Sequence, residues 1–358
     1  MKQPSWPLTM RVIVIALLIG GASGVLSAAL TSNGLWQYAF ELSEFTEPLR
    51  LTQEQPRAVP QGYADALITL TTESLRAVGS VFSYAVPAAG FATENASGPV
   101  VVLTSDGWLL SAYGSLTSQV KIGDQSCVID DDRFHETGLS FLHCASSNLS
   151  VVDLGEGYGL SPGDQVFVVE GPDRFVFTSV RSLSWGGDSV HLSDYASRRI
   201  ELSFAGTLRA GSPVFNLSGE LVGVIDPSHD EPFVIPFEHL ESAFEQALEG
   251  REVFASATLG VKAIDLAHAI GLSDDLTHGL KSGALLFDRS SVIPGGAAQA
   301  AGLLMGDVVL SFDGETIDES RTLDDLVALA APGDEVIVVV DRAGERLEFT
   351  VTLGSSQE

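Results

Sequence analysis

From Val78 onward the chain is built of short apolar runs: Val100–Leu103, Trp108–Leu110, Phe141–Leu142, Val166–Val169, Phe175–Val180 and Leu221–Val224. Each is cut off by Gly, Asp, Ser or Pro. Runs this short, rich in β-branched and aromatic residues and closed by turn formers, read as strands of an antiparallel barrel or sandwich. The pattern then changes. From Pro236 to Glu249 the residues Leu240, Phe244 and Leu248 share one helical face, and Gly250 is the stop. Beyond it, Phe254 to Leu353 mixes strands with two short helices. This unit closes on a hairpin in which Val336–Val340 and Leu347–Leu353 flank Asp341-Arg342-Ala343-Gly344. The expected fold class is mainly β, with two folded bodies joined by a short connection.

The N-terminus is of another kind. Lys2 and Arg11 precede an uncharged stretch from Val12 to Leu30, and the next basic residue is Arg50. The stretch is close to the roughly 20 residues a membrane-spanning helix needs. Basic residues before it and none just after place the N-terminus in the cytoplasm and the body outside. An uncleaved anchor is the preferred reading. A signal peptide cut near Ala22-Ser23-Gly24 or Ser27-Ala28-Ala29 is the alternative. Residues 31–60, interrupted by Pro48, Pro56 and Pro60, read as a stalk, and Tyr63, Leu67 and Leu70 mark a helix within 61–76. In the stalk, Trp36, Tyr38, Phe40 and Phe45 either sit at the membrane interface or pack on the barrel.

Composition narrows the partners. The 358 residues carry 47 acidic against 19 basic side chains, a net charge of −28. Such a surface repels a phosphate backbone, which argues against nucleic acid as a partner. There is no Walker loop, dinucleotide fingerprint, EF-hand spacing or zinc cluster, so no metal and no cofactor is expected. The two cysteines, Cys127 and Cys144, flank the polar turn Asp130–Glu136. Were Val128–Ile129 and Phe141–Leu142 paired in one hairpin, the sulfurs would face each other and form a cross-strand disulfide. Two separate buried thiols are an equal alternative.

Longer motifs carry a resemblance. Residues Val292-Ile293-Pro294-Gly295-Gly296-Ala297-Ala298-Gln299-Ala300-Ala301-Gly302-Leu303, followed by Gly306-Asp307-Val308-Val309-Leu310 and Asp313-Gly314, resemble the PDZ domain of HtrA/Deg proteases. Thr258-Leu259-Gly260-Val261 occupies the place of that family's carboxylate-binding loop, whose backbone N–H groups receive a peptide C-terminus. The resemblance implies a facing helix over 320–330. Leu323, Val327 and Ala330, with Leu259 and Val261, are then the candidates for the apolar peptide pocket, although each taken alone is explained by plain core packing.

The middle of the chain resembles the trypsin-like domain of the same family, with altered chemistry. Gly107-Trp108-Leu109-Leu110-Ser111-Ala112-Tyr113-Gly114 stands where the family reads G-Y-I-L-T-N-x-H, so the general-base position is Gly114. Thr137-Gly138-Leu139-Ser140-Phe141-Leu142 resembles T-D-L-A-V-L, which puts Gly138 at the orienting acid. Leu208-Arg209-Ala210-Gly211-Ser212-Pro213 stands for G-N-S-G-G-P, with Ala210 at the nucleophile and Leu208 at an oxyanion-hole glycine. Phe215–Val224 and Phe233-Val234-Ile235-Pro236 keep the surrounding pattern. Acyl transfer needs a hydroxyl, a base and a group that orients the base, and Gly and Ala supply none of them. Ser212, with His135, His143 or His191 as base, is the substitute dyad to test.

The resemblance implies a double-barrel trypsin-like domain followed by an α+β PDZ domain. It also implies an exported, membrane-anchored pseudoprotease that binds peptides or protein C-termini, with homotrimers formed through the protease domain. An active endopeptidase using Ser212 is the alternative. The chain divides into a cytoplasmic segment 1–11, an anchor or signal peptide 12–30, a stalk and helix 31–77, a protease-homology domain 78–250 and a PDZ domain 254–354.

Overall fold

The structure is a computed structural model that describes residues 62–82, 92–185, 190–229 and 231–356. All of them belong to one unit, Val59–Glu358. The expected anchor, 12–30, and the stalk with its aromatics lie outside the described residues. Among the described residues no helix is long and apolar enough to cross a membrane.

The apolar runs become two antiparallel sheets. The first has seven strands: β1 (Val78–Phe82), β2 (Gly98–Val102), β3 (Trp108–Ser111), β4 (Gln119–Ile122), β5 (Gln125–Val128), β6 (Asp131–Phe134) and β7 (Ser140–His143). Their spatial order is β5-β4-β1-β2-β3-β7-β6. β1 and β2 are buried along their whole lengths, which is why Val100–Val102 of β2 reads as a continuous apolar run rather than an alternating one. The second sheet closes into a barrel of β8 (Gln165–Gly171), β9 (Arg174–Trp185), β11 (Arg198–Leu202), β12 (Pro213–Phe215), β13 (Leu221–Ile225) and β14 (Phe233–Pro236). Between β9 and β11 lies the short strand β10 (His191–Leu192), which does not join this barrel.

Helix α1 (Tyr63–Thr72) buries Ala66 and Leu70 in a core shared by both sheets, and its Tyr63 packs edge-on against Phe177, with ring centroids 4.7 Å apart. Helix α2 (Glu238–Leu248) presents Leu240, Ala243 and Ala247 to the same core.

Cys127 and Cys144 are bonded, with Cα atoms 5.8 Å apart, but not across a hairpin. β5 pairs with β4, and β7 pairs with β3 and β6. The bond therefore ties β5, one end of the first sheet, to the residue that follows β7 near its other end. Asp130 N–H, donating to His143 O at 2.9 Å, closes the same gap. The hairpin expectation fails because Asp130–Glu136 is not a turn: it contains β6.

The C-terminal body contains β15 (Ala257–Thr258), β16 (Lys262–Asp265), β17 (Ala284–Leu285), β18 (Val308–Phe312), β19 (Glu315–Thr316), β20 (Glu335–Arg342), β21 (Glu345–Thr352) and β22 (Gly354–Ser355). Its helices are α3 (Asp274–Thr277), α4 (Ala297–Ala301) and α5 (Leu323–Ala328). β20 and β21 pair without a slip around Ala343 and Gly344, both at positive φ, the geometry a two-residue hairpin turn requires. The Gly-Asp pair of the 302–310 motif has a structural reason. Asp307 is fully buried and accepts a two-pronged contact from Arg342, at 2.7 and 2.8 Å, and Leu304 N–H donates to it as well.

Candidate functional site

Two places matter: the seam where the expected triad positions lie, and the edge of the C-terminal body around Gly260. At the seam, Ser111 of β3 faces Ser140 of β7, so Gly114 and Gly138 sit just beyond the same end of that ladder. The 210–212 turn reaches this end from the barrel. Gly211 N–H donates to Ile225 O at 2.8 Å, and Ile225 N–H donates to Ser212 O at 2.9 Å. A Cβ on Gly211 would fall 2.7 Å from the backbone nitrogen of Ala112, and one on Gly138 would fall 3.0 Å from Pro227 Cγ. The chain thus brings 112–114, 138, 210–212 and 225–227 to one seam.

The seam is apolar where a base would stand. Gly114 has φ +100, and a Cβ there would meet Ile129 and Leu142 at 3.1 Å and Val81 at 3.2 Å, all three buried and apolar. Ala210 carries no hydroxyl. Leu208 is buried in the barrel core, and the neighbouring Arg209 N–H donates to the Glu170 carboxylate at 3.0 Å. That N–H is committed to a carboxylate that Arg174 also holds, at 2.6 Å, and is not free for a developing oxyanion.

Ser212 is fully buried, and its hydroxyl has no hydrogen-bond partner among the described residues. None of the three candidate histidines hydrogen-bonds the Ser212 hydroxyl. His143 Nδ1 lies 2.7 Å from Asp130, and His135 Nδ1 lies 2.9 Å from Thr137 Oγ1. His191 sits on β10, opposite Ala263 of the C-terminal body. Burial pushes the His135 imidazole down from 6.5 to about 4, so it is neutral at ordinary pH.

At the second place, Leu259 and Val261 are fully buried and Gly260 has φ +76, a conformation in which a Cβ would stand 3.3 Å from Gly296 Cα. Leu323 and Val327 of α5 join Leu259 and Val261 in one core cluster, with Ala330 packed against it. Thr258 lies on β15, which pairs with β22.

Residues the sequence had not singled out meet this edge. Asp194 Oδ1 accepts the N–H groups of Leu259 and Gly260, each at 2.9 Å. Ser193 exchanges two bonds with Val261: its N–H donates to Val261 O at 2.8 Å, and its Oγ accepts Val261 N–H at 3.2 Å. β10 runs antiparallel to β16, His191 opposite Ala263 and Leu192 opposite Lys262.

On the other side of this segment Ser197 N–H donates to Asp324 at 2.8 Å. Arg198 is buried and donates to the fully buried Asp325 at 2.8 and 3.1 Å, with its guanidinium over the Tyr158 ring. Burial alone would raise the Asp325 carboxyl. The His239 imidazole, 3.8 Å away, and the Arg198 guanidinium instead hold it below its ordinary value. The one signal of this arrangement in the sequence is the alternating Val190-His191-Leu192-Ser193-Asp194, a short strand that ends on an acid.

A seven-stranded sheet and a closed barrel meeting at one seam, followed by a small α+β body, define a trypsin-like fold joined to a PDZ domain. Residues 260–353 match the PDZ domain family. A probable periplasmic serine endoprotease, DegP-like, from a Marinomonas species is 30% identical over 226 residues, spanning 61% of this chain and 47% of that one. The protein of the same description from Halomonas elongata is 29% identical over 232 residues, with the same coverage. The chain spans about half the length of these curated relatives. Among solved structures, the HtrA-type protease AlgW with tripeptide superposes with a TM-score of 0.51 at 22% identity, covering 81% of this chain and 97% of that one. AlgW with decapeptide gives a TM-score of 0.50 at 19% identity. The chain is similar to HtrA-type proteases in its fold, a trypsin-like domain followed by a PDZ domain.

Proposed function

We propose that the chain is a non-proteolytic HtrA-type protein that binds peptides or protein C-termini through its PDZ domain and acts as a scaffold, chaperone-like surface or regulator. The observation that carries this reading is the seam. Gly114, Gly138 and Ala210 lie there, none with a side chain able to take, hold or give a proton, and buried apolar side chains stand around Gly114. The body is exported, in keeping with relatives named as periplasmic, and residues 12–30 anchor it in the membrane. Homo-oligomers, trimers by family resemblance, would multiply the binding sites on one particle.

The peptide site consists of the loop Thr258–Val261, with Leu323, Val327 and Ala330 behind it. Screening the full chain against octapeptides with free C-termini should yield micromolar binders whose amidated forms fail. Gly260→Trp should abolish that binding, because a side chain at φ +76 is strained and strikes the backbone at Gly296. Unchanged affinity in Gly260→Trp would remove the loop assignment.

The names of the relatives favour a second reading, an endopeptidase of envelope quality control with Ser212 as nucleophile. Its hydroxyl lies at the seam but is buried and faces no imidazole among the described residues.

A further inference from the structure

We propose that the segment His191–Asp194 is a built-in ligand that occupies the PDZ groove, and that a peptide binds only by displacing it. This rests on the peptide-binding reading of the Thr258–Val261 loop.

The segment does what an extended peptide would do at that edge. β10 adds to β16 as an antiparallel strand, and the pairing continues through Ser193 and Val261. In this direction the segment arrives at Leu259 and Gly260 with Asp194, and the side-chain carboxylate receives both backbone N–H groups at 2.9 Å. Two N–H groups converging on one carboxylate oxygen is how such a loop would hold a chain terminus. Here Asp194 is an internal residue, so its side chain stands in for the terminus while the main chain runs on to Tyr195.

The opposite wall of the groove is engaged too. Ser197 and Arg198 are held by Asp324 and Asp325 at the start of α5. His191, Ser193, Ala263 and Leu323 line one small cavity, so little space is left between strand and helix.

The contacts between segment and loop are polar and charge-assisted, with no covalent tie. An incoming carboxylate can take over the same two N–H groups, and the site exchanges an internal acid for an external one. The occupied groove lowers apparent affinity by the fraction of molecules in which it is open. Displacement would also strain the contacts of Ser197 and Arg198 with Asp324 and Asp325, so peptide binding is coupled to the barrel through β11.

Hydrogen exchange on the full chain without added peptide tests occupancy directly. The amides of Leu259, Gly260 and Val261 should be protected in the native protein. In Asp194→Ala they should exchange at least about tenfold faster, while the β20–β21 hairpin is unchanged; Asp194→Asn, which keeps the shape and loses the charge, should fall between. Equal exchange in all three proteins would overturn the proposal.

Titration with a free-carboxylate octapeptide from the screen should then show at least about tenfold tighter binding to Asp194→Ala than to the native chain. Equal affinity would overturn displacement. If the loop amides are released in the variant and no peptide binds either protein, the built-in ligand stands and the peptide-binding function falls.

Discussion

The catalytic seam expected from the family and the PDZ groove are both filled by the chain itself, but with different chemistry. Around Gly114 the occupants are Val81, Ile129 and Leu142, buried side chains that belong to the core of the first sheet. Around Gly260 the occupant is a short strand tipped by a carboxylate, held by hydrogen bonds that water or another carboxylate can replace. Apolar filling is part of what stabilises the fold, so emptying it costs packing. Polar filling is an exchange of partners, with a small net difference. On the proposed reading, the first closes a site permanently, and the second keeps a site in reserve.

That contrast breaks if a histidine can be restored at the seam. Gly114→His should destabilise the protein by roughly 2–6 kcal/mol, through backbone strain at φ +100 and overpacking together, and should confer no hydrolysis. Urea unfolding monitored by fluorescence measures the first effect, and a casein assay the second. A variant as stable as the native chain would mean that the seam has room that the packing denies.

A smaller effect sharpens the account of the seam's surroundings. His135 lines the cleft beside Phe254 and is kept neutral by burial. Above pH 6.5 the folded and unfolded chains are both neutral there, and its contribution is intact. As pH falls from 6.5 toward 4, the unfolded chain takes up a proton that the folded chain refuses, and stability drops by at most about 3 kcal/mol. His135→Asn should flatten the acid limb of a stability–pH curve over that window. An unchanged slope would show that His135 protonates without cost.

Much of this was legible in the sequence because the signals are local. The alternation of short apolar runs gives the strands. Asp307 takes the Leu304 N–H within its own motif, and the Ala343–Gly344 turn joins two adjacent strands, although the partner of Asp307, Arg342, is distant. What was hidden depends on distant pairs. Asp194 meets Leu259 and Gly260, and Arg198 meets Asp325, across separations that no spacing rule encodes. The disulfide illustrates the same limit. The two cysteines drew notice because they flank one polar stretch, yet they come together because the two ends of the first sheet approach each other, a consequence of closure rather than of a turn. Core packing of Leu323 and Val327 was foreseen as the plain alternative to a pocket, and both lie in the core cluster with Leu259.

The proposed loss of acyl transfer at the seam is open to a fluorophosphonate probe applied to the purified full chain. The native protein and Ser212→Ala should both remain unlabelled, with an active trypsin-like protease labelled in parallel. Stoichiometric labelling of the native chain that disappears in Ser212→Ala would contradict it.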